Sequence, residues 1–279
     1  MNSRSFIAAM FLCQMLTTGA ALAEPTGNAV RAVNKVTRSL DQQPQRHIFA
    51  GGYVGVVAGA VWQQTSPFLG CHDFTNPDPT VCSTDISFSI PGNAFNLNDT
   101  GFLGGGQIGY NFVFGKIVLG VEADIAHTSI DTTSTFQQSF PCCVRDTSLH
   151  QELSSLSTVR GKLGYAFDNV LIYVTGGLAI GQVEYSFRLT DPSLAGGGFA
   201  GDSNSKLAVG YTGGAGIEIS FGQWSLKTEY LFYDLGQETL TAPFLIGGTR
   251  EPFTFRPEFH TQGHIARIGT NFHFNMPGD

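Results

Sequence analysis

The sequence predicts an all-β chain: an eight-stranded antiparallel up-and-down transmembrane β-barrel. Three observations carry this reading. No run of 18 or more apolar residues follows the first two dozen positions, yet strand-like segments recur from residue 50 onward. The connections between those segments alternate strictly between very short and long. Charged residues inside the segments keep to one parity of a period-two pattern.

The eight segments are 50–62, 101–113, 116–126, 153–167, 170–186, 206–221, 224–235 and 262–274, each alternating or rich in glycine and aromatic residues. Three connections are two residues long: Phe114-Gly115, Asp168-Asn169 and Gly222-Gln223. Four are long, 63–100, 127–152, 187–205 and 236–261, and carry Gly, Pro, Asn, Asp, Ser and Thr. A membrane barrel with tight periplasmic turns and long extracellular loops produces this alternation. A soluble sandwich has no reason to sort its loops by end. The even strand count puts both chain ends on the periplasmic side.

Parity separates two faces. In 116–126, Ile117, Leu119, Val121, Ala123 and Ile125 oppose Glu122 and Asp124. Val159, Leu163, Tyr165 and Phe167 oppose Arg160 and Lys162, while Ile217 and Ile219 oppose Glu218. Trp224, Leu226 and Tyr230 oppose Lys227 and Glu229, and Ile268, Phe272 and Phe274 oppose Arg267. The charged parity holds four acids (Glu122, Asp124, Glu218, Glu229) and four bases (Arg160, Lys162, Lys227, Arg267). An eight-stranded barrel is just wide enough for its side chains to fill it, and buried charges there are tolerable only when paired. An internal ion-pair network is therefore the expectation, rather than an open pore. Phe112, Phe114, Tyr165, Phe167, Phe221, Trp224, Phe272 and Phe274 flank the short turns or the C-terminal end, as an interfacial girdle would.

Composition agrees. Only 13% of the 279 residues are charged, about half the usual ~25%, while Gly reaches 35 and Phe 23. The net charge is -7 with no basic block, so nucleic acid is not an expected partner. Arg4, the apolar stretch Phe6 to Leu16 and the small-x-small Ala21-Leu22-Ala23 read in order as a secretory signal over residues 1–23. Cys13 follows Leu12 rather than a small residue, which argues against lipidation. Residues 24–49 are polar and mixed and read as a periplasmic N-terminal segment, 50–274 as the transmembrane barrel, and 275–279 as a short C-terminal tail.

Several stretches resemble one family. Gly101-Phe102-Leu103-Gly104-Gly105-Gly106-Gln107-Ile108-Gly109-Tyr110-Asn111 and Val118-Leu119-Gly120-Val121-Glu122-Ala123-Asp124 resemble the second and third strands of the small outer-membrane β-barrels of alphaproteobacteria, the porin-family or outer-membrane immunogenic proteins. Thr158 to Ala166 and Tyr173 to Ala179 are similar to its fourth and fifth strands. Gly213 to Glu218, with Lys227-Thr228-Glu229-Tyr230-Leu231-Phe232-Tyr233-Asp234-Leu235-Gly236, is similar to its sixth and seventh. The resemblance covers residues 50 to 274. It implies a bacterial outer-membrane protein that works as a structural and surface element. Its implied partners are outer-membrane lipid, the barrel-assembly machinery and host surface molecules met by the loops. It implies no catalytic residue. Such barrels normally end on an aromatic residue, whereas here five residues follow Phe274.

Cys71, Cys82, Cys142 and Cys143 all fall in long connections and allow three pairings. Cys71–Cys82 is the preferred disulfide, with pairing between the first and second loops the alternative. His72 and His150 near those cysteines match no zinc spacing. His72, His127, His150, His260 and His264 could in principle serve haem capture, but scattered loop histidines are more often solvated. His264 is also the one candidate for a lipid-modifying enzyme, and it lacks a neighbouring serine. Gly104-Gly105-Gly106 precedes no helix, so it reads as barrel packing and not as a phosphate cradle. The expectation is no enzyme, no metal and no cofactor. A narrow diffusion channel is the alternative function, and an outer-membrane lipid-modifying enzyme is the further one.

Overall fold

The computed structural model describes residues 48–65, 67–73, 95–139 and 144–274. The signal stretch, residues 24–47, the C-terminal tail and Cys82, Cys142 and Cys143 lie outside the described residues. Cys71 is placed in a strand, but its side chain is not described, so the disulfide pairings fall outside as well.

Ten strands run through the described residues: β1 (Gly51–Thr65), β2 (Phe68–Asp73), β3 (Asp99–Phe114), β4 (Ile117–Ser139), β5 (Val144–Phe167), β6 (Val170–Asp191), β7 (Gly198–Phe221), β8 (Trp224–Thr239), β9 (Ala242–Ile246) and β10 (Thr249–Phe274). Eight of them pair in the order β1-β3-β4-β5-β6-β7-β8-β10, all antiparallel. Pairing of β10 with β1, from Gly52 opposite Phe274 to Thr65 opposite Thr261, closes the ring. These are the eight strands expected from the alternating pattern. β2 continues β1 beyond a break before Pro67, and β9 continues β8. Both pair with the far part of β10.

Three tight turns mark one end of the ring. Their first residues, Gly115 (φ 64°), Asp168 (φ 48°) and Gly222 (φ 78°), all have positive φ, which suits the twist of two-residue hairpins. The first turn is Gly115-Lys116 rather than Phe114-Gly115, because the residue that must take the left-handed conformation is the glycine.

The opposite end differs from the sequence reading. Much of 127–152, 187–205 and 236–261, read as loop, is strand: β4 and β5 remain paired out to Ser139 opposite Val144, and β6 and β7 out to Asp191 opposite Gly198. The segment after Ala126 is polar but rich in Thr, a β-branched residue that favours strands. Polar residues on the outer side of such a strand face water and cost nothing. The ring therefore rises beyond its apolar band as a crown. On β5 the outward residues change from Val159, 54% exposed, to Ser157 and Ser155, and Val144–Leu156 continues for roughly 40 Å along the strand.

Register shifts cluster where the outer face turns polar. Three of the four lie there, at His127/Ile130 on β4, Leu153/Ser155 on β5 and His260/Gln262 on β10, with positive-φ Gly236 at the same level of β8; the fourth, at Arg250/Thr254, lies farther up β10. Bulges of this kind bend strands and change their twist.

Candidate functional site: the filled barrel interior

Strand periodicity aims Glu122 and Asp124 (β4), Arg160 and Lys162 (β5), Glu218 (β7), Lys227 and Glu229 (β8) and Arg267 (β10) into the ring, and all eight are buried. They meet there. Arg160 contacts Glu122, lies 3.0 Å from Asp124 and 3.3 Å from Glu229. Lys227 bridges Glu122 at 2.8 Å and Glu229 at 3.2 Å. Arg267 reaches Glu229 at 2.7 Å and Asp124 at 3.0 Å. Lys162 lies 3.5 Å from Glu122 and 3.6 Å from Glu218. Four acids and four bases thus share one low-dielectric space, where an unpaired member would be costly.

Uncharged side chains complete the network, and charge parity alone did not single them out. Tyr53 (β1) donates to Glu122 at 2.6 Å, and Tyr173 (β6) donates to Glu229 at 2.8 Å. Lys162 Nζ sits between their rings, 5.0 Å and 4.6 Å from the two centroids, a cation–π arrangement. Thr158 donates to Asp124 at 2.8 Å and accepts from Arg160 Nε at 2.9 Å. Around Glu218, Ser225 donates at 2.5 Å and Asn271 at 2.9 Å, with His273 Nε2 at 3.2 Å. Gln107 (β3) hydrogen-bonds Asn271. Every one of the eight barrel strands now contributes a side chain to a single connected network. Each tyrosine faces a glycine on its neighbouring strand, Tyr53 opposite Gly109 and Tyr173 opposite Gly216, which leaves room for the ring, a register that only the strand pairing reveals.

The network fills only the half of the ring nearer the tight turns. Above it the same inward parity turns apolar. On β6 the inward residues run Leu171, Tyr173 and Thr175, then Ala179, Val183, Tyr185, Phe187 and Leu189. With Val61, Leu103, Leu153, Leu231, Phe244, Phe255 and Phe259 these form one continuous core through the crown. Aromatic pairs knit its top, with Tyr185 and Phe259 at 5.0 Å and Phe187 and Phe255 at 5.8 Å between centroids. At the turn end, Phe49 is buried against Val118, Leu171 and Tyr173, and its carbonyl accepts a hydrogen bond from Asn111 at 3.0 Å. Ile48 and Phe49 therefore belong with the barrel, just outside the boundary drawn at residue 50.

Outward, the ring carries an apolar band that includes Val56, Ile108, Val121, Leu163, Val174, Leu178, Val209, Ile217 and Ile268, all exposed. Phe112, Phe114, Tyr165, Phe167, Phe221, Trp224 and Phe274 rim it at the turn end.

The histidines do not converge. His264 lies on the outer face, its Nδ1 2.9 Å from the Tyr230 hydroxyl. His260 is 3.3 Å from Asp234, and His150 is 3.0 Å from the Thr133 hydroxyl. The His72 side chain is outside the description. Among the described residues no three His, Cys, Asp or Glu side chains are grouped to hold a metal.

A closed ring of eight strands, apolar outside and filled inside, is an integral β-barrel of the bacterial outer membrane. The model of the outer membrane protein beta-barrel domain matches residues 41–249, and the chain belongs to that family. The 31 kDa outer-membrane immunogenic protein of Brucella melitensis biotype 1 is 28% identical over 271 residues, covering 96% of this chain and 97% of the relative. The 22 kDa outer membrane protein of Rhizobium leguminosarum bv. viciae is 33% identical over 133 residues, 47% of this chain and 52% of that protein. Among solved structures, the outer membrane protein OprG from Pseudomonas aeruginosa aligns at 13% identity and a TM-score of 0.44, covering 81% of this chain and 97% of that one.

Proposed function

We propose that this chain is a structural surface protein of the outer membrane: a non-conducting barrel that carries its crown outside the cell for contact with the environment. The observation that carries the reading is the stacking of two seals. A charge-balanced network occupies the periplasmic half of the interior, and a continuous apolar core occupies the extracellular half. Water and ions would have to break both to pass. The name of the Brucella relatives supports surface exposure of the crown, where host surface molecules are the partners in view. The apolar band would meet outer-membrane lipid, and Phe272 and Phe274 would present the aromatic alternation to the barrel-assembly machinery.

Planar-bilayer recording on the refolded full chain tests the reading. No steady single-channel conductance is expected at neutral pH. Reproducible conductance of a defined size would establish the narrow diffusion channel instead. The chain is read as non-catalytic, since its buried acids and bases are engaged with one another. Loss of a lipid-modifying activity in His264→Ala would overturn that.

A further inference from the structure

Inside the apolar core of the crown lies a second polar layer. Gln63 and Thr65 come from β1, Gln151 from β5, Tyr185 from β6, Tyr233 from β8 and Thr261 from β10. Register makes them contiguous. Thr65 is directly opposite Thr261, and Gln63 and Tyr233 flank the same residue, Gly263. Gln151 Nε2 donates to Thr261 Oγ1 at 2.7 Å, and the Tyr185 hydroxyl is 2.8 Å from that same oxygen. Each of the six is at most 2% exposed.

Among the described residues, five polar atoms of this layer have no protein partner: both side-chain atoms of Gln63, Thr65 Oγ1, Gln151 Oε1 and Tyr233 Oη. A buried donor or acceptor left unmade is among the more expensive features a fold can carry, and such groups are almost always satisfied by protein or water. Five in one layer, surrounded by apolar side chains, would not persist dry. Gly263 lies at the centre of the layer, and a Cβ there would stand 2.6 Å from Tyr233 Oη. Only a glycine there lets the Tyr233 hydroxyl lie against the β10 backbone in the middle of the layer.

We infer that Gln63, Thr65, Gln151, Tyr185, Tyr233 and Thr261 form an internal hydration site, a small set of ordered waters held on the barrel axis within the crown. Water is the occupant because the six side chains are at most 2% exposed and present only neutral donors and acceptors. Each water needs two to four polar partners, and the layer offers them from five strands. The site is separate from the ion-pair network, with Val61, Leu103, Leu231 and Ile265 in the apolar core beside it. It rests on the closed-crown reading. Failure of that reading appears as conductance, whereas failure of this inference appears in the measurements below.

A crystal structure of the full chain in detergent tests it directly. Ordered water density within hydrogen-bond distance of Tyr233 Oη and Gln63 is expected; a layer free of such density, with those atoms in van der Waals contact with apolar groups, overturns it. Tyr233→Phe supplies an independent sign. If the hydroxyl is bonded to water, its removal lowers the folding equilibrium constant roughly fivefold. If the hydroxyl is dry and unsatisfied, its removal raises that constant, and the inference fails. Gln63→Leu, read the same way, repeats the sign test at the opposite wall.

Discussion

Arg267 and Glu229 stand directly opposite each other on β10 and β8, with both Nε and Nη2 of the guanidinium 2.7 Å from one carboxylate oxygen. Both are buried, and Glu229 also faces Arg160 and Lys227. Removing one member of such a set leaves an excess buried charge. Glu229→Leu leaves three acids against four bases and is expected to destabilise the barrel by about 3–5 kcal/mol. The double variant Glu229→Leu/Arg267→Leu restores balance at three against three and is expected to recover a large part of the loss. Urea unfolding in micelles measures both, and equal or additive losses would show that the charges act independently.

The glycines facing the inner tyrosines make a second contrast. A Cβ on Gly216 would stand 2.6 Å from Tyr173 Cζ and Oη, so Gly216→Ala must displace the ring that donates to Glu229. A loss of about 1–3 kcal/mol is expected, the ordinary cost of overpacking. Gly161 lies on the outer face, where the nearest atom to an added Cβ is a carbonyl oxygen at 3.8 Å. Gly161→Ala is expected to change stability little by the same unfolding assay.

Outside the membrane, Arg145 and Asp191 form a buried ion pair near the top of the crown, and the Ser193 amide donates to the same carboxylate at 3.0 Å. Burial alone would raise the Asp191 carboxyl, but the bonds from Ser193 and Arg145 outweigh it and hold it below its ordinary value. A lowered folded-state value means stability that is present above the unfolded carboxylate range, near pH 4, and is lost as pH falls through the folded value. Amide protection factors over residues 186–200, taken relative to the intrinsic exchange rate at each pH, are therefore expected to hold from pH 7 to about pH 4 and to fall below it. In Asp191→Asn that acid step disappears.

The edge of the lipid band can be located along one strand. Leu178 and Ser186 share the outer parity of β6 and are eight positions apart. Leu178→Arg is expected to cost about 2–4 kcal/mol in a bilayer, and Ser186→Arg close to nothing. Refolding yield and urea midpoints in lipid vesicles distinguish them. Equal effects would place Leu178 outside the hydrocarbon.

Much of this was legible from residue parity. Charges advertise the inner face, so Glu122, Arg160 and their partners could be assigned to one wall before any contact was known. Tyr53 and Tyr173 could not, because an aromatic residue suits lipid, interface and interior alike. β6 was opaque for a related reason. Ile172 and Val174 outside and Leu171, Val183 and Phe187 inside are all apolar, so alternation vanishes where both faces are dry. The crown is hidden by the opposite effect: residues such as Thr133, Thr135 and Gln137 resemble a loop when read for polarity, although their backbone is paired with β5. The Arg145–Asp191 pair depends on contacts 46 positions apart that no local pattern announces.

β10 is held on both sides for most of its 26 residues, first by β1 and β8, then by β2 and β9. A protease must draw a segment out as an unpaired strand before it can cut, and this strand offers it little. From Phe253 to Phe274 every residue of the strand has a main-chain partner on at least one side, so on the proposed orientation a surface exposed to foreign enzymes need not be a perishable one.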